Sequence, residues 1–221
     1  MTSNLEDLRG RGDGKQMPEV DETTYSRFKG ELERQGYTFF VQIRPISVPE
    51  LLKEDDQRAA LGKERIFEVN RVDPLVDPVD LSGEMKTSIP PEIEIAISPG
   101  RAKILEGHGL HADAQKKIIE EDERKRLADN MPEVLQGLVS VRMPTASEIV
   151  QVYMAYKEKY GVSLFEGWFA RAADKLSPEK GLARVGQYPT DKGMRVRGPD
   201  RKKGVNDVYP FAVVVMPTKA A

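Results

Sequence analysis

Apolar positions along this chain recur at two spacings, and each spacing predicts an element. Tyr25, Phe28 and Leu32 fall on one helical face behind Asp21, a capping side chain, and Gly36 ends the run. Tyr37 to Ile43 is aromatic and β-branched and predicts a strand that stops before Pro45. Ser47 and Glu50 form a capping box for a second helix that carries Leu51, Leu52 and Leu61 and closes at Gly62. Arg65 to Val69 predicts another strand. From Glu92 to Ile97 the alternation is strict, with Ile93, Ile95 and Ile97 on one side and Glu92 and Glu94 on the other, as in a half-buried strand.

The second half continues in the same way. Ala112 to Asn130 predicts a charged helix in which Glu120–Arg124 and Glu121–Lys125 pair at four-residue spacing. Gly137 to Met143 predicts a short strand. Thr145 and Glu148 box the start of a helix bearing Ile149, Val152, Tyr153, Tyr156 and Tyr160, stopped by Gly161. Ser163 and Glu166 suggest a third box, opening a helix over 164–176 with Phe165, Trp168, Phe169, Ala172 and Leu176 as its apolar side. Residues 145–176 therefore read as a helical hairpin. The last strand is expected over 205–216, where Phe211 to Val215 is apolar on both faces and so buried.

Between these elements lie three stretches rich in Gly, Pro and charge. Residues 1–20 lack apolar periodicity and read as a flexible N-terminal arm. Its Gly10, Gly12, Gly14 and Lys15 are not a phosphate loop, because no strand precedes them and Gln16 stands where Ser or Thr is needed. Residues 70–91 hold Pro74, Pro78, Pro90 and Pro91, which exclude a regular helix and predict a surface strap. Residues 177–204 carry Gly181, Gly186, Pro189, Gly193, Gly198, Pro199 and Gly204 and read as a long irregular arm. The fold expected is α+β: a small mixed sheet from 37–43, 65–69, 92–97, 137–143 and 209–216, with helices packed on it and long irregular Pro/Gly-rich arms. The N-terminal half spans 21–100, with the strap at 70–91. The C-terminal half spans 101–221, with the hairpin, the basic arm and the final strand.

Charge marks out the third arm. The chain has 221 residues and a net charge of −2, yet residues 175–203 alone carry +6. Arg184, Lys192, Arg195, Arg197, Arg201, Lys202 and Lys203 are the candidate contact residues, suited to nucleic acid or to an acidic protein surface. Residues 1–110 sum to −6 and 111–221 to +4, an asymmetry that can orient a molecule between unlike neighbours.

With no Cys, disulfides, thiolate zinc sites and cysteine nucleophiles are excluded. His108 and His111 with Asp113 supply at most three metal ligands on a glycine-rich backbone, and no serine sits in a nucleophile elbow. No enzyme activity, cofactor or metal is expected. Without an apolar leader or span, the expected location is the cytoplasm or an assembled particle, with no membrane partner.

The turn Tyr160-Gly161-Val162-Ser163 resembles that of winged-helix bacterial regulators, whose Gly-Val-Ser turn leads into a recognition helix followed by a basic wing. The resemblance implies nucleic-acid binding, with Gly181 to Arg197 as the wing. Phe165, Glu166, Trp168 and Phe169 depart from it, standing where base-reading Arg, Asn, Gln or Ser belong. The function expected first is that of a non-enzymatic structural or interaction subunit, homo- or hetero-oligomeric, in a larger assembly such as a viral particle. It would dock on protein neighbours through its arms. Nucleic-acid binding is the alternative.

Overall fold

The computed structural model describes residues 17–72, 89–177, 181–188, 193–197 and 208–220. The chain opens with a short strand, β1 (Glu19–Val20), and helix α1 (Glu22–Arg34). Asp21 caps α1 by accepting the Thr24 N–H at 2.7 Å, and Gly36 makes the exit turn at φ 87°. Strand β2 (Phe39–Ile43) leads to α2 (Val48–Ala60), where the Ser47 N–H donates to Glu50 at 2.9 Å in the expected box. Then come β3 (Phe67–Val72) and β4 (Ile93–Ile97), followed by two 3₁₀ turns at Pro99–Arg101 and Leu105–Gly107.

Helix α3 (Ala112–Lys117) widens into a π-helical stretch, Ile118–Glu123, and resumes as α4 (Arg124–Asp129). A short α5 (Glu133–Gln136) and β5 (Val141–Arg142) precede α6 (Ala146–Tyr160). At the start of α6 the Thr145 hydroxyl and the Glu148 carboxylate accept from each other's backbone N–H at 3.3 and 2.8 Å. The remaining elements are strands: β6 (Trp168–Ser177), β7 (Gly181–Gln187), β8 (Met194–Arg197), β9 (Val208–Tyr209), β10 (Val213–Val215) and β11 (Thr218–Lys219).

The α+β expectation holds, but the strands form two main sheets rather than one. Sheet one is antiparallel in the order β2-β4-β10-β5. Sheet two runs β3-β8-β7-β6-β9, with antiparallel pairs in the middle and a parallel pair at each edge. Of the five expected strands, the one at 65–69 belongs to sheet two. The one at 137–143 shortens to β5, and the last strand divides at Pro210 into β9 and β10.

Sheet one is covered on both faces, which is why Val213 to Val215 is apolar throughout. Val41, Ile95, Ile97 and Val213 face a core shared with α2, α6 and the near face of sheet two. Ala96 and Val214 face a second core built by Tyr25, Phe28 and Leu32 of α1 with Ile119 and Leu127. Each large apolar side chain buried there contributes about 2 kcal/mol relative to exposure. The other side of β4 is therefore largely covered, and Glu94, part-buried at its edge, is held by the Tyr25 hydroxyl and, at 3.9 Å, by Lys29.

Two expectations for the C-terminal half are corrected. Residues 164–176 do not form a second helix, so there is no helical hairpin over 145–176. Ser163 accepts the Phe165 N–H at 3.1 Å in a local turn, Gly167 reverses the chain at φ 78°, and β6 follows. The misleading signal is that β6 buries apolar side chains on both of its faces. Trp168, Ala170 and Ala172 enter the first core while Phe169 is buried on the opposite face, so strand alternation imitates a helical stripe. The segment 177–204 is likewise not irregular throughout, because β7 and β8 lie within it. A Cβ on Gly186 would stand 2.2 Å from the Trp168 carbonyl oxygen and 2.5 Å from the Phe169 Cα, so that glycine permits close strand contact rather than a loop. The expected arm 1–20 and strap 70–91 lie mostly outside the described residues.

Candidate anion-binding face

The far face of sheet two carries a row of arginines set by strand register. Arg171 of β6 pairs with Arg184 of β7, which pairs in turn with Arg197 of β8. One step along, Phe169 pairs with Gly186 and Gly186 with Arg195. Direct partners on neighbouring antiparallel strands hold their Cβ atoms only about 5 Å apart, and like charges placed there are destabilising. Aromatic rings interleave with the cations. The Arg184 guanidinium lies 5.4 Å from the Phe169 ring, Tyr188 packs edge-on to Phe169 at 4.9 Å, and Arg195 lies 5.9 Å from the Tyr188 ring.

Arg171 lies beside a fixed loop. Gln115, fully buried on α3, donates to the carbonyls of Gly107 at 2.7 Å and Val208 at 3.2 Å, tying the 105–111 loop to the open edge of β9. Its side-chain oxygen accepts from Arg171 Nε, and a second Arg171 nitrogen donates to the Leu110 carbonyl at 3.5 Å. Both acceptors are neutral. Arg171 is 6% exposed, and burial, then the neighbouring charge of Arg184, pull its guanidinium below the ordinary arginine value. Among the described residues no carboxylate compensates it.

Three of the seven residues expected from sequence are thus brought together. Arg184, Arg195 and Arg197 stand at neighbouring register positions of β7 and β8, though Arg184 is 3% exposed rather than on a solvated arm, while Arg195 is half-buried. Lys192, Arg201, Lys202 and Lys203 lie outside the described residues. Arg171 was missed because a helix was expected at its position. The alternation Trp168-Phe169-Ala170-Arg171-Ala172, taken at a period of two, carries the signal.

Other polar clusters hold the scaffold. Tyr37 donates to Glu123 at 2.8 Å, and Arg126 donates to both Glu123 oxygens at 3.0 and 2.7 Å. Burial opposes the charge on Glu123, but the hydrogen bonds from Arg126 and Tyr37, with the cations of Arg126 and Arg101, hold its carboxyl below the usual glutamate range. Arg142 grips Glu148 through two bonds of 2.8 and 2.6 Å. His108 stacks on Tyr209 with ring centres 4.4 Å apart, and Lys103 lies 4.2 Å from the same ring. His111 precedes α3, and among the described residues no group of three or more His, Asp or Glu stands where it could hold a metal.

Comparison of the chain with family models, with curated proteins and with solved structures gives no match. Among the described residues no helix is long and apolar enough to cross a membrane.

Proposed function

We propose that this protein is a non-enzymatic interaction subunit of a larger assembly, meeting an anionic neighbour through the arginine-bearing face of sheet two. The single observation that carries the reading is the row Arg171–Arg184–Arg197 in direct cross-strand register. A sheet that sets arginines in register on neighbouring strands is stabilised by negative charge brought against it, and buried cations project their field further than solvated ones. The basic residues Lys192, Arg201, Lys202 and Lys203 flank these strands in sequence and add to the attraction.

Nucleic acid is the second reading, favoured by the alternation of Arg184 and Arg195 with Phe169 and Tyr188, since sheets that bind single strands combine cations with aromatic rings. A winged-helix mode is no longer part of it, because the expected recognition helix is β6.

Light scattering on size-exclusion fractions, with polyglutamate or a single-stranded oligonucleotide at low and high salt, tests both readings. The expected result is a complex that dissolves as salt rises and is lost in an Arg195→Ala, Arg201→Ala, Lys202→Ala, Lys203→Ala variant that still folds. A chain that binds neither polyanion at low salt would overturn the anionic-partner reading.

A further inference from the structure

We infer that Arg171 is the inner contact of a site for a phosphate group on the far face of sheet two. The inference rests on the reading of that face as the one that meets anions, and it goes further by naming the group and the residue that receives it. A buried charge is ordinarily matched by an opposite one, as fully buried Glu148 is by Arg142 at 2.8 and 2.6 Å. Arg171 is more than nine-tenths buried and is given only two neutral oxygens, those of Gln115 and Leu110. Its register partner is another buried cation, Arg184.

One feature fits an oxyanion better than simple tolerance of the charge. Gln115 grips the Nε edge of Arg171 while fixing the loop through Gly107 and Val208, so the guanidinium plane is oriented before any ligand arrives. A guanidinium held in that way offers its remaining N–H donors as a fork that matches phosphate geometry.

The test uses the full chain in phosphate-free buffer at constant ionic strength, with inorganic phosphate, a nucleoside 5′-monophosphate and a short oligonucleotide as separate probes. Calorimetric titration and thermal unfolding are the two measurements. A saturable heat is expected with at least one probe, together with a rise in Tm of about 4 °C at roughly ten times the Kd. Response to inorganic phosphate alone identifies a free anion as the ligand, and response only to the oligonucleotide identifies a nucleic-acid backbone.

Arg171→Met should lose the response. Because it removes an uncompensated buried charge, it should melt no lower than the parent without phosphate and below it at saturation. Should Arg171→Met fail to fold, Gln115→Glu gives Arg171 a carboxylate within the chain and should likewise abolish the response. The site is overturned if no probe binds, or if either folded variant responds as the parent does. Failure here with salt-sensitive polyglutamate binding intact sinks the phosphate site alone, whereas loss of both sinks the wider reading.

Discussion

Glu123 and Arg171 show opposite ways of burying a charge. Glu123 is 5% exposed and enclosed by Arg126, Tyr37 and Arg101, so the protein supplies everything its ionised form needs. Its folded pKa lies below the unfolded value near 4.5, so its contribution to stability is complete above that value and is lost as pH falls through the folded one. Glu123→Gln should therefore cost about 2 kcal/mol at neutral pH and flatten the acid side of the stability profile, as measured by urea unfolding between pH 3 and 7. An unchanged acid limb in that variant would show that Glu123 does not govern it. Arg171 has no such enclosure, and its loss should be felt through ligand binding more than through stability. This difference was not legible in sequence, since Glu123 lies within the charged run 120–126 and Arg171 stands alone among apolar residues, and only tertiary packing decides the neighbours of either.

Capping chemistry was the most legible part of the fold. Asp21, Ser47–Glu50 and Thr145–Glu148 each begin a helix as their residue types predict, and Gly36, Gly62 and Gly161 adopt the positive φ expected at helix ends. Local rules failed where both faces of an element are buried, as in β6, and where glycine serves packing, as in β7. Gly186 gives that failure a measurable consequence. Gly186→Ala would drive a methyl into Trp168 and Phe169, forcing β6 and β7 apart, and should destabilise the protein by about 3 kcal/mol. The Trp168 emission of that variant should shift to the red as its ring is exposed; a parent-like spectrum and midpoint would contradict the close approach. The basic segment was legible as a concentration of charge but not as strands, because Gly and Pro dominate its local signal.

For the molecule as a whole, sheet one is the common wall of both cores, with alternate residues of β4 and β10 in each. Loss of either core strips one face of the same strands, so the two cores should unfold together. Trp168, the only tryptophan, reports the first core, and far-ultraviolet circular dichroism reports the helices of both; their urea transitions should coincide, and separated midpoints would show independent units. At one corner β1 and β11 lie side by side in parallel, joined by the Thr218 N–H to Pro18 at 3.2 Å and the Ala220 N–H to Val20 at 2.9 Å. Regarded mechanically, this pair is a clamp. Tension that draws residue 18 and residue 220 apart acts along the strands in opposite senses, loading the hydrogen bonds of the pair in shear together rather than unzipping them in turn, so strain reaches α1 and sheet one only after the pair has yielded.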